Sequence, residues 1–152
     1  MIQTIDTYHG WRAKDKGFNA KIETGFDRSL PRVNLSPQDM GRALLNLINN
    51  ALYAVHEKAK AGKEGYEPTV QVTTKKAGDK IVISVSDNGS GIPDNIIDKI
   101  FQPFFTTRPT GKGTGLGLSL AYDTVTQKHG GTISVESKKG EFTSFMIQIP
   151  IG

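Results

Sequence analysis

A complete helix signature lies between Ser36 and Lys60, and it frames everything that follows. Ser36 suits the N-cap, Pro37 the first helical position, and Asp39 completes a capping box. Met40, Leu44, Leu47, Ile48, Ala51 and Val55 then fall on one side at helical spacing, and Gly62 follows as a stop. Two hairpins are expected downstream. One joins residues 69–74 to 80–86 through Ala77-Gly78-Asp79; the other joins 132–137 to 142–150 through Lys139-Gly140. A weak alternation at 19–24 predicts an edge strand, and a second helix is expected from about Gly115 to Lys128, ended by Gly130-Gly131. Hairpins outnumber strands that feed a crossover helix. The expected class is therefore α+β, a two-layer sandwich with a mostly antiparallel mixed sheet covered on one face by helices.

A chain of 152 residues fits one domain with a real core. The absence of cysteine excludes a disulfide framework and a cysteine zinc site, and is compatible with a reducing cytoplasm. No apolar run approaches the roughly 18 residues that span a membrane, so no direct membrane contact is expected. The net charge is +4. Lys58, Lys60, Lys63, Lys75, Lys76, Lys138 and Lys139 have no interleaved aromatics, which reads as a solvated face rather than a nucleic-acid patch. A mild positive balance suits an anionic small ligand.

Three segments carry chemistry. On the first helix Asn46, Asn50 and Tyr53 follow i, i+4, i+7 and form a polar stripe away from the apolar one. Alone, such a stripe is a solvent-facing surface; amides one turn apart can also offer oxygens to a hard cation such as Mg2+. Asp87-Asn88-Gly89-Ser90-Gly91 follows an apolar strand. It is either a simple turn or a place where a strand-end carboxylate accepts from an amine-bearing ligand while Gly89 and Gly91 let backbone approach it. Gly111-Lys112-Gly113-Thr114-Gly115-Leu116-Gly117-Leu118 runs into the second helix. Glycine-rich backbone opening a helix offers unpaired N–H groups to phosphate, though neither a P-loop nor a dinucleotide fingerprint is present. Between them Phe101, Phe104 and Phe105 read as core or as the base of a lid. Arg108 and Lys112 are cations within reach of a phosphate or simply solvated.

Together these segments resemble the catalytic domain of bacterial sensor histidine kinases, in the superfamily shared with gyrase, Hsp90 and MutL. The N box of that family is similar to residues 44–55, its G1 box to 87–92, its F box to 101–105 and its G2 box to 113–119. The resemblance spans roughly residues 19 to 150 and implies a Bergerat-type ATP-binding fold with ATP and Mg2+ as cofactors. It implies that Asp87 binds the adenine amino group and that Asn50 coordinates Mg2+ with Asn46 beside it, these two amides being the catalytic pair. It also implies that Gly113, Gly115 and Gly117 line the phosphates and that residues 94–113 form a lid. Tyr53, Gly89, Gly91, Ile92, Phe105, Thr106, Arg108, Lys112, Thr114, Leu116 and Leu118 complete the implied nucleotide contacts. Two departures stand out. Tyr53 occupies a slot where many relatives carry Lys, and Phe142 replaces the second glycine of the last motif.

The ATPase branches usually place Glu where this chain has Asn46. An amide cannot act as the general base that activates water, which favours phosphoryl transfer to another acceptor. In the family that acceptor is a histidine on a separate helical hairpin. His9, His56 and His129 do not match its motif; His56-Glu57 comes nearest, but Ala61 stands where Pro belongs. The reading is thus of a catalytic fragment: residues 1–18 as linker from a dimerisation/phosphoacceptor domain, 19–152 as the ATP-binding domain. The isolated domain is expected to be monomeric and cytoplasmic, with a response regulator downstream; whether the parent is membrane-anchored is left open by the sequence. The alternatives are an ATP hydrolase of the gyrase/Hsp90 type and a degenerate nucleotide-sensing module.

Overall fold

The computed structural model describes residues 20–27, 30, 35–62, 64–103, 105 and 117–151. Within them the first helix forms as its signature requires. α1 (Pro37–Ala59) has Ser36 as N-cap, whose hydroxyl accepts from the Asp39 N–H. The expected apolar stripe is buried, joined by Ala43 and Leu52. Ile48, Leu52 and Val55 are fully enclosed, and truncating such a side chain to Ala costs about 2–5 kcal/mol.

α1 packs on a five-stranded sheet ordered β1-β2-β3-β5-β4. The strands are β1 (Lys21–Phe26), β2 (Thr69–Ala77), β3 (Lys80–Asp87), β4 (Thr132–Lys138) and β5 (Phe142–Pro150). β1 pairs parallel to β2 at one edge, and every other pairing is antiparallel. Period-2 alternation assigns the two faces. Val70 and Val72, Ile81, Ile83 and Val85, and Phe145, Ile147 and Ile149 face the helices and form the core with α1. The opposite face is mixed, with Val82 buried among polar neighbours and the Ser86 and Ser144 hydroxyls bonded across strands at 2.7 Å.

Both expected hairpins form, with β2 and β3 each longer than the sequence pattern suggests. The edge strand lies at Lys21–Phe26 rather than at 19–24. The second helix departs from expectation. α2 (Gly117–Asp123) is α-helical, and the chain continues as a π-turn at Thr124–Lys128. The β-branched residues in Thr124-Val125-Thr126 fit poorly in an α-helix. The Thr126 hydroxyl donates to the Tyr122 carbonyl at 2.8 Å, a side-chain bond that competes with regular helix pairing.

His129 closes this end of the molecule. Its Nε2 accepts from the Ser36 N–H at 2.9 Å and its Nδ1 lies 2.8 Å from the Thr124 carbonyl. Lys128 pairs with Asp39 at 3.1 Å. The N-terminus of α1 and the end of the π-turn are therefore tied together, and the far end of α1 is left to border a cavity.

Candidate functional site

The cavity, about 530 Å3, opens at the end of the sheet between α1 and α2. That size is ordinary for a small-molecule site. α1 lines it with Asn46, Asn49, Asn50 and Tyr53, β3 ends in it at Asp87, and β5 adds Thr143 and Phe145. The polar stripe of α1 is thus no solvent-facing surface; it forms one wall of the cavity, while the apolar stripe of the same helix holds the sheet.

Asp87 sits where β3 leaves the sheet and is 7% exposed. The Gly89 N–H donates to its Oδ1 at 2.8 Å. Burial pushes its carboxyl up to about 7, against the opposing pull of that hydrogen bond and of the nearby Lys58 ammonium. Thr143 is its cross-strand partner on β5 and is also buried. A buried carboxylate next to a hydroxyl, in a cleft with one polar wall and apolar residues around it, suits a ligand that brings its own N–H donors.

The loop after Asp87 uses its glycines for different ends. Gly91 lines the cavity at φ +72°, and a Cβ there would run into the Lys138 carbonyl. Gly89 lies outside the lining. A Cβ on it would come within 2.7 Å of Ala54, so its glycine is required by close packing of the loop on α1 rather than by an approaching ligand. The Ile92 N–H is held by the Ser137 hydroxyl at 2.8 Å, which presents Ile92 to the cavity.

At the other end the Asn46 amide donates to the Gly117 carbonyl at 3.2 Å. This bond ties α1 to the first residue of α2. Asn50, Tyr53, Phe105, Gly117 and Leu118 line the cavity as the sequence suggests. Phe101 packs its ring 5.4 Å from Tyr122 and 6.1 Å from Phe145, a fixed position compatible with core packing and with the base of a lid. Thr106, Arg108, Lys112, Gly113, Thr114, Gly115 and Leu116, and with them most of the expected lid, lie outside the described residues.

Sequence reasoning missed Asn49, Glu57, Lys139 and Thr143 as wall residues. Thr143 carried a readable signal: it is the one polar residue in the inward alternation Thr143, Phe145, Ile147, Ile149. Lys139 carried none, because a turn lysine looks the same whether or not a cleft lies beside it. His56, the nearest match to an acceptor motif, is half-buried on α1 and is not part of the lining.

A five-stranded mixed sheet with helices matches the fold of histidine kinase catalytic domains. The nucleotide-free catalytic domain of histidine kinase ThkA superposes with a TM-score of 0.75 at 30% identity, over 98% of this chain and 92% of that one. The family model for histidine kinase-, DNA gyrase B-, and HSP90-like ATPases matches residues 36–152, and the chain belongs to that family. Sensor histidine kinase ZraS of Escherichia coli K12 is 37% identical over 123 residues, covering 81% of this chain and 24% of that protein. Sensor kinase CckA of Brucella abortus is 50% identical over 72 residues, 47% of this chain and 8% of its own. The chain thus spans about a quarter or less of the length of these two relatives. Among the described residues, no helix is long and apolar enough to cross a membrane.

Proposed function

We propose that the cavity binds Mg-ATP and that the chain transfers its γ-phosphoryl group to a histidine on a separate dimerisation/phosphoacceptor domain, from which a response regulator is served. The observation that carries this reading is a single cleft with a buried carboxylate, Asp87, at one end and the amides of Asn46 and Asn50 beside Gly117 at the other. Asp87 accepts from the adenine amino group, and the phosphates extend toward the start of α2.

The residues present fit Mg2+ in a particular way. Among the described residues no three His, Cys, Asp or Glu side chains gather into a metal cluster. Neutral amide oxygens hold a hard cation weakly by themselves and well when phosphate oxygens complete the shell. Asn50, with Asn46 beside it, would hold the ion, and the ion would neutralise charge developing on the transferred group. The chain's own contribution is to bind the base, orient the phosphates and withhold a general base: Asn46 cannot take a proton from water, so hydrolysis is disfavoured.

Transfer needs the acceptor nitrogen at roughly 3–3.5 Å and in line with the phosphorus before attack. His56 is roughly 9 Å along the axis from Asn50, at 1.5 Å rise per residue on one rigid helix. Incubated alone with γ-labelled ATP, the chain is expected to acquire no acid-labile, alkali-stable label. Adding a phosphoacceptor hairpin from the same kinase should produce label on the hairpin. Label on the chain alone that disappears in His56→Gln would overturn the assignment of the acceptor to another domain.

A further inference from the structure

Lys58 reads in the sequence as one of several solvated lysines, yet the fold gives it three carbonyl partners. Its ammonium lies 3.2 Å from the Asn88 carbonyl, 3.4 Å from that of Gly89 and 2.9 Å from that of Gly140. It also sits 4.7 Å from the centre of the Tyr66 ring, within cation–π range. An ammonium has three donors, and all three have backbone oxygens to meet.

These carbonyls belong to two separate segments. Asn88 and Gly89 follow Asp87 at the end of β3, and Gly140 lies in the β4–β5 turn next to Lys139, a wall residue. Asn88 is fixed from its other side as well. Its Oδ1 accepts from the Thr69 N–H at 2.8 Å and from the Tyr66 hydroxyl at 3.3 Å, and its amide donates to the Glu67 carbonyl at 2.8 Å. Lys58 is outside the cavity lining, while its neighbour Glu57 is within it. Whatever Lys58 does for a ligand, it does through the backbone it holds.

We propose that Lys58 is a positioning residue for the adenine end of the cavity, clamping the loop after Asp87 to the β4–β5 turn through its three carbonyl partners. This rests on the reading of the cavity as an adenine-nucleotide site. A merely structural lysine would hold the loops without affecting when Asp87 ionises. Among the described residues, the charged and titratable groups at that end are Lys58 and Tyr66, which interact with the carboxylate, and Glu57 and Lys139 on the wall. Tyr66 is pushed up to about 12, chiefly by burial and then by Asp87, and stays neutral throughout the useful pH range. Lys58 is therefore the cation behind Asp87 that opposes the effect of burial on it.

The test is a calorimetric titration of ATP into the 152-residue chain from pH 6 to pH 9, for the wild type, Lys58→Met and Lys58→Arg. Wild-type affinity should rise with pH as Asp87 ionises. Lys58→Met should bind about tenfold more weakly at pH 7, the size expected for losing charge-assisted hydrogen bonds, and its midpoint should move to higher pH. Lys58→Arg keeps the charge and should keep the wild-type midpoint. Should Lys58→Met fail to fold by circular dichroism, Lys58→Gln replaces it in the same comparison. Wild-type affinity and midpoint in the neutral variant, or an equal shift in Lys58→Arg, overturns the role given to Lys58. Absence of ATP binding by the wild type at every pH overturns the nucleotide reading itself, and the clamp's function with it.

Discussion

Asp39 and Asp87 are the same residue type in opposite circumstances. Asp39 lies at the start of α1, half-buried, where the Lys128 ammonium and the Ser36 hydroxyl both donate to its Oδ2 at 3.1 Å. The Lys128 hydrogen bond, then that from Ser36, holds its carboxyl below the usual range. Asp87 is buried, receives one backbone N–H, and is pushed up to about 7 by desolvation. Protein partners already serve Asp39 as part of a helix cap. Among the described residues Asp87 receives only that one donor in its cleft, which is the arrangement of a group that awaits a ligand's donors.

The contrast is sharpest in how each affects the apo fold. Asp87 has a folded value raised from 3.8 to about 7. Between those values the folded protein keeps a proton that the unfolded chain has lost, so apo stability falls as pH rises from about 4 to 7 and is level above. The full loss is on the order of 4 kcal/mol. Asp87→Asn preserves the shape and the acceptor for the Gly89 N–H, and removes the charge. It should flatten that slope and be more stable than the wild type at pH 8 by a few kcal/mol. Urea unfolding at pH 5 and pH 8 checks this. A wild type whose stability does not fall between the two would break the comparison.

Asn50→Ala should come next in size, with about tenfold weaker ATP binding in the presence of Mg2+ and a much smaller loss with EDTA. Equal losses in both titrations would make Asn50 a packing residue. Smallest is Ser36→Ala, which removes the cap that shares Asp39 with Lys128. It should lower stability by about 1 kcal/mol and leave ATP affinity within about twofold. A large loss of affinity would mean that the two ends of α1 are coupled.

Much of this division could be read from residues alone. The cap, the apolar stripe of α1 and the hairpins rest on local rules, and they formed where those rules placed them. Asp87 was legible because a carboxylate directly after an apolar strand and before two glycines has few structural uses. The remainder depends on which segments meet. Thr143 and Lys139 reach the cavity only because β5 lies beside β3, a pairing between residues more than fifty apart. That Gly89 packs on Ala54 was not legible, because glycine next to a ligand and glycine next to a helix look identical in sequence. The π-turn after Asp123 lay within an otherwise helical pattern, and the partners of Lys58 come from two loops that no spacing rule connects.

The central claim is that Asp87 is kept buried and underserved in order to select adenine. Calorimetric titration of ATP and of GTP into the wild type and Asp87→Asn at pH 8, with Mg2+, tests it most directly. The wild type should bind ATP and discriminate against GTP. Asp87→Asn should lose about 100-fold in ATP affinity and most of the discrimination while remaining folded. Equal ATP affinity in the two proteins would contradict the account.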